Sequence, residues 1–380
     1  MITLLLVLLL MVSGPTFAQN IGDFCGDLPE VDCTLLTESQ TAMMEVSSAA
    51  AQFDMSFSVS NIPDAPFDSL DFSLNGDGSF AVDPALMEMM HSIQDDPSAL
   101  FSNPEAFSEW FTSFLNGVSG DLNLTLTIPA DLAETFSSED MTIPETVSIG
   151  LRLVDGVGYI NLEDIAALMP DQGIPAGWIG VDLSDAWELA MKDADFNQLS
   201  EMDPDAFQSY MGSFQDPEFM AEFMTIERLE DTEVAGQQAA VFLYTFDYGA
   251  LFQSETFQNM MRAQMEAAAE MSGEELDEDA QAEMEEAMSM MGPMFEDINL
   301  ELRQVIGLDD KYIHSTEFHM DWDMSAMMAM MEPDSDGAAP TFVFDMTITS
   351  SDFNSAPEVT APEDATLIPL NSMSSGSSSS

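Results

Sequence analysis

The residues with chemistry to offer are two cysteines, three histidines, 32 methionines and 70 carboxylates. Cys25 and Cys33 lie close together in a chain that reads as exported, so they are expected to form a disulfide rather than a redox or zinc pair. The spacing is not C-x-x-C, and no histidine lies near them. His314 and His319 are five apart on an expected strand, which puts them on opposite faces, and His91 sits far away on an expected helix. No histidine-based metal site follows.

Asp334-Ser335-Asp336-Gly337 has the look of a calcium loop but lacks the spaced ligands and the closing glutamate, so it reads as a solvated turn. No G-x-S-x-G elbow, Cys–His pair or phosphate-cradling glycine loop is present, and no catalytic residue is expected. Asn123-Leu124-Thr125 is a glycosylation sequon, but it falls mid-strand and is expected to be silent. No cofactor is implied.

Methionine is the residue with most latitude. Fifteen of the 32 lie between Gly249 and Met331. Thioethers fill irregular cores, line adaptable binding surfaces and capture soft metals such as copper. All three readings stay open. Met260, Met261 and Met265 could meet a metal on one helical turn, but they are also needed as apolar cover.

Those side chains must be positioned by a sheet. Phe53, Met55, Phe57 and Val59 alternate with Asp54, Ser56, Ser58 and Ser60. The same period recurs at Leu70–Leu74, Asp121–Ile128, Thr146–Val154, Val157–Asn161, Trp178–Asp182, Phe223–Leu229, Ala239–Asp247, Asp297–Ile306, Lys311–Trp322 and Thr341–Ser350. Alternation of this kind gives a strand one apolar and one wetted face. Asn75-Gly76-Asp77-Gly78 reads as a turn, as do Asp155-Gly156 and Gly307–Asp310.

Helical periods appear at Leu35–Ala51, with Thr37 as its cap, and across Asp83–Asn116. They recur from Ser184 to Met191, over Pro204–Met220 and in the excursion Gly249–Met294. About eleven one-sided strands with gathered helices make an α+β protein. A strongly curved antiparallel sheet covered by the amphipathic, Met-rich helices would bury every apolar face, whereas a β-sandwich leaves those helices without a surface.

Six Lys and Arg against 70 Asp and Glu give a net charge of −64. Such a field repels nucleic acid and anionic membrane surfaces and calls for counter-ions. It reads as adaptation to a saline setting or as recruitment of cations or a basic partner. Hydrophobic residues make up 46% of the chain, which argues against acidic disorder. At the N-terminus, Leu4–Val12 is an apolar run broken by Gly14-Pro15, and Thr16-Phe17-Ala18 supplies small residues for cleavage. Residues 1–18 are therefore expected to be a signal peptide, making the protein periplasmic or extracellular. No later run is long enough to span a bilayer.

Several segments, in order, resemble the LolA/LppX-like superfamily of exported bacterial lipoprotein and lipid carriers. They are Leu151-Arg152-Leu153-Val154-Asp155-Gly156-Val157-Gly158-Tyr159-Ile160, Gly177-Trp178-Ile179-Gly180-Val181-Asp182 and the Glu233-Val234-Ala235-Gly236 turn before a Tyr/Phe strand. A closing strand then runs into Ser351-Asp352-Phe353-Asn354 and Ala361-Pro362-Glu363-Asp364-Ala365. The resemblance implies a half-barrel of antiparallel strands closed by helices over an apolar cavity that holds acyl chains. The chain departs from it in lacking a lipid-modified cysteine, in its larger helical insert and in its acidity.

The expected organisation is one domain over 19–370 with a helical insert at 249–295, followed by a flexible Ser/Gly tail. The expected function is a non-enzymatic carrier for a lipid or other hydrophobic ligand. Phe53, Phe57, Phe72, Tyr244, Phe246, Phe318, Phe342 and Phe344 would line the sheet side, and Met261, Met265, Met284 and Met288 the helical side. The alternatives are an acidic envelope or surface protein with a dry core, or extracytoplasmic handling of copper or calcium.

Overall fold

The computed structural model describes residues 24–62, 67, 69–95, 104–136, 143–170, 173–187, 217–272, 292, 294–331 and 339–369. The expected signal peptide, the calcium-like turn and the Ser/Gly tail lie outside them, as do Met284 and Met288.

Among the described residues, thirteen strands form one sheet, more than the eleven or so expected. They are β1 (Ser48–Ser60), β2 (Ser69–Val82), β3 (Val118–Thr127), β4 (Thr146–Val154), β5 (Val157–Asn161), β6 (Trp178–Asp182) and β7 (Met224–Arg228). Then come β8 (Thr232–Val234), β9 (Gln237–Asp247), β10 (Ile298–Gly307), β11 (Ile313–Asp323), β12 (Thr341–Ser351) and β13 (Thr366–Leu367). Their order is β13-β6-β5-β4-β3-β2-β1-β12-β11-β10-β9-β7, with β8 paired to β9. Among the described strands only the β13–β6 pair is parallel. The sheet does not close on itself, so the fold is an α+β half-barrel. Chain order and sheet order part at β1, which pairs with both β2 and β12 and so joins the two halves of the chain.

The described helices are α1 (Glu30–Met44), α2 (Pro84–Asp95), α3 (Pro104–Gly117), α4 (Ala130–Phe136) and α5 (Glu163–Leu168). After a short helical stretch at 183–187 come α6 (Pro217–Met220), α7 (Tyr248–Gln253), α8 (Glu255–Ser272) and α9 (Ser325–Met331). Pro84 and Pro104 open their helices, where a missing N–H costs nothing.

Two sequence expectations need correction. The first helix starts at Glu30 and ends at Met44; Thr37 lies inside it, its hydroxyl donating to the Cys33 carbonyl. Ala49 to Ala51 have a helical preference, but pairing on both edges of β1 overrides it. Asn75-Gly76-Asp77-Gly78 is no turn, because all four residues lie inside β2, paired to β1 and β3. Cys25 and Cys33 form the expected disulfide, which lies at the edge of the core. Phe24 and Leu35 beside it are buried, and Leu28 packs on the same cluster. In the chain-entropy account a loop this short contributes about 2–3 kcal/mol.

The main core sits at one end of the sheet. Leu35 and Leu36 of α1, Phe219 and Met220 of α6, and Phe223 pack with Met224, Ile226, Phe242, Tyr244 and Ile306. Arg228 ties this end together. Its guanidinium lies 5.2 Å from the Phe242 ring centroid, reaches Asp32 of α1 at 3.4 Å and donates to the Leu229 and Val241 carbonyls. A second cluster joins Val82, Leu86, Phe114, Leu115, Val118 and Leu153 beneath α2 and α3. At that end Arg152 covers the Trp178 ring at 4.9 Å and donates to the Thr360 carbonyl, fastening the C-terminal segment.

Candidate functional site

Strand pairing brings the apolar residues of nine strands into rows across one face. One row runs Ile226, Tyr244, Leu302, Phe318, Met346, Met55, Leu74, Leu126 and Val147, from β7 to β4. The next runs Met224, Phe246, Leu300, Met320, Phe344, Phe57 and Phe72. A third runs Ile298, Trp322, Phe342, Val59 and Leu70. Neighbours in a row are about 5 Å apart, so no gap separates their side chains.

Cover over this floor is uneven. At the β7 and β9 end it is sealed: Tyr244 is 1% exposed, Met224 2% and Ile226 8%. Burial pushes the Tyr244 hydroxyl pKa far above its ordinary value. In the middle, Leu302, Phe318, Met320, Phe344, Met346, Met55, Phe57, Phe72 and Leu74 are only half-buried, and Leu126 is exposed. The open part spans six strands, about 24 Å at the usual strand spacing.

Aromatic rings cross the floor as a chain. Phe72 lies 6.4 Å from Phe57, which lies 5.6 Å from Phe342. Phe342 lies 5.9 Å from Trp322, and Trp322 lies 5.8 Å from Phe295. Phe252 of α7 continues it at 4.9 Å from Phe295 and 5.2 Å from Phe257 of α8. The described part of the insert is therefore docked on the floor through rings. These separations suit offset or tilted ring pairs.

Over the middle strands the opposite face is polar, while near β8 it carries a small buried apolar cluster of Ala239, Val241 and Val305. Asp71 accepts from the hydroxyls of Ser58 and Ser69, and Asp121 from that of Ser79. Asn75 pairs with Asp54, Asn123 with Asp77, Arg303 with Glu317 and His319 with Asp345. The sequon residue Asn123 is thus engaged within the sheet.

Of the expected lining residues, Phe53, Phe57, Phe72, Phe246, Phe318, Phe342 and Phe344 share the apolar face. Tyr244 shares it too, but inside the sealed end, where packing leaves no room for a ligand. Met261 is half-buried on α8, and the Met265 side chain lies outside what is described. Sequence reasoning passed over Met55, Leu74, Met320 and Trp322. Trp322 is four residues beyond Phe318 on one strand, so parity alone would have found it.

A cleft of about 590 Å³ opens at the ends of β9 and β10, beside α7. Thr245, Asp247, Gln253, Glu296, Asp297 and Asn299 line it with Phe246, Ala250 and Ile298. Its volume is ordinary for a ligand pocket, but its carboxylates set it apart from the apolar floor. Among the described residues no group of three or more His, Cys, Asp or Glu could hold a metal ion. His314 is buried against Asp310 and Gln237, while His319 is on the polar face. No described helix is long and apolar enough to cross a membrane.

No protein-family model matches the chain, and no curated protein matches it. Among solved structures it is similar to the Mycobacterium tuberculosis lipoprotein LppX, at 8% identity and a TM-score of 0.29, over 86% of this chain and 97% of that one. It is similar to LprF from Mycobacterium bovis at 8% identity and a TM-score of 0.29, over 89% and 99%. A DUF1329 family protein from Desulfovibrio piger is similar at 8% identity and a TM-score of 0.17, over 86% and 92%. LppX is a namesake of the superfamily that the sequence motifs resemble, but at these TM-scores the likeness assigns no family to the chain.

Proposed function

We propose that the protein is an exported, non-enzymatic carrier that holds a hydrophobic ligand, a lipid or acyl chain, on the apolar face of the half-barrel. The observation that carries this reading is the row from Leu302 to Leu126, apolar on six consecutive strands and only half covered. A protein without a partner for that surface would be expected to seal it as it seals the Tyr244 end, since large open apolar areas on soluble proteins mark binding sites. Binding would come from apolar burial, at about 25 cal/mol per Å² before association costs. Phe53, Phe57, Phe72, Phe318, Phe342 and Phe344 would carry the contact, with Met261 and neighbouring methionines adapting to ligand shape. Export rests on the apolar N-terminal run and its small-residue cleavage positions.

Native mass spectrometry of the purified protein, with organic extraction and titration by an uncharged apolar dye, tests the reading. Co-purifying lipid, or saturable dye binding that lipid displaces, is the expected result. A bare mass with no dye response would leave a structural protein with a dry core.

A further inference from the structure

Three thioethers stand in the half-open floor. Met55 of β1 lies directly across from Met346 of β12, and Met320 of β11 lies one strand further and one row on. Their direction follows from their neighbours in the chain. Asp54 pairs with Asn75, and His319 with Asp345, on the polar face. Met55, Met320 and Met346 are each one residue from these groups, so they point to the apolar face. All three are half-buried, and Leu126, in the row of Met55 and Met346, is exposed.

Other methionines are shielded. Met224 shares the row of Met320 but is 2% exposed, and Met220 in the same core cluster is 7% exposed. The sulfur of Met43 on α1 is engaged, its Sδ accepting from the Ile313 N–H at 3.3 Å.

This difference in cover is a difference in reactivity. Peroxide oxidises accessible thioethers, and no thiol competes for it here because both cysteines are joined in the disulfide. The sulfur lone pair attacks one oxygen of hydrogen peroxide, the O–O bond breaks and an S–O bond forms. The other oxygen takes up the remaining proton and leaves as water. Sulfur loses two electrons and the peroxide gains them. Hydrogen peroxide is uncharged, so a net charge of −64 does not exclude it. The sulfoxide formed is a polar acceptor. Around Met55 and Met346 the floor offers Phe53, Phe57, Leu74, Phe318, Phe344 and Ile348, and none of these side chains can donate to it.

We propose that Met55, Met320 and Met346 form a peroxide-sensitive modification site, whose oxidation to sulfoxide makes the centre of the floor polar and loosens its hold on a hydrophobic ligand. This rests on the carrier reading and adds regulation to the same surface. A bound ligand covers the three sulfurs, and an empty floor leaves them open to oxidant.

The test treats the full chain with hydrogen peroxide, with and without saturating Nile red, and follows each methionine by peptide mass spectrometry. In the empty protein Met55, Met320 and Met346 should oxidise well before Met220 and Met224, and Nile red should slow them. The oxidised protein should then bind Nile red roughly tenfold more weakly or worse, the scale of covering one unpaired polar group. A triple variant, Met55→Leu, Met320→Leu and Met346→Leu, nearly conserves volume and should keep its own starting affinity through the same treatment.

Floor methionines that oxidise no faster than Met224, or an oxidised protein that binds Nile red unchanged, would overturn the modification site and leave the carrier reading intact. A triple variant that loses affinity on peroxide treatment as wild type does would overturn it too. If the untreated protein binds no Nile red, both fall. Should the triple variant not fold by circular dichroism, the wild-type peptides decide, and floor methionines that Nile red does not protect overturn the site.

Discussion

Phe53 of β1 lies across Gly76 of β2, and a Cβ added at Gly76 would fall 2.3 Å from the Phe53 ring. It would also fall 2.6 Å from the Asn123 carbonyl oxygen on the other side. The ring can shift, but the β3 backbone cannot move without breaking its ladder. Gly76→Ala is therefore expected to destabilise the protein by about 1–3 kcal/mol, as overpacking does. Urea unfolding followed by circular dichroism checks this, and unchanged stability would show that the position has room.

The sealed and half-open parts of the apolar face should respond differently to truncation. Tyr244→Ala removes a side chain that is 1% exposed and is expected to cost about 3–5 kcal/mol. Phe57→Ala acts on a half-buried ring and should cost markedly less stability while weakening apolar-dye binding severalfold. Paired unfolding and binding titrations read both. A dye affinity untouched by Phe57→Ala would remove this ring from the site.

Asp310 makes part of the stability depend on pH. Its burial opposes charge, but hydrogen bonds from Gln237, the Tyr312 N–H and His314 outweigh this and hold its pKa below 3.8. A lowered folded-state pKa contributes stability that is present above 3.8 and lost as the pH falls through the folded value. Asp310→Asn should therefore be less stable than wild type at pH 7, with the gap closing below pH 3.8. Urea midpoints across pH 2.5–7 measure it, and a constant gap would contradict the account.

Salt should stabilise the fold. The polar face carries Asp54, Asp71, Asp77, Asp121, Glu317 and Asp345, and their partners are mostly neutral donors, with only Arg303 and His319 supplying bases. Raising ionic strength from about 0.01 M to 1 M shortens the screening length from about 30 Å to 3 Å. The melting temperature is expected to rise by about 3 °C or more, on the order of 1–2 kcal/mol for a large domain. A flat response between about 10 mM and about 1 M sodium chloride would mean that repulsion matters little.

Much of the sheet was legible in the chain because side-chain direction alternates locally. Phe53, Met55, Phe57 and Val59 need no distant information to share a face, and neither do Phe342, Phe344 and Met346. The Asp155-Gly156 hairpin was legible for the same reason, since both residues take positive φ, at 50° and 75°, as a tight turn demands. Gly76 and Gly78 misled because the same residue type serves turns and close strand approach. Here it is the Phe53 ring and the Asp121 carbonyl, each distant in sequence, that require glycine.

The sequence by itself determined which side chains are apolar on each strand and that the surface would be acidic. Tertiary structure decided that β12 lies beside β1, which turns separate apolar rows into one floor. It also decided that α1 and α6 seal the Tyr244 end while the Phe57 region stays half open. Strand order and cover depend on contacts between residues hundreds of positions apart, and alternation along one strand carries no information about them.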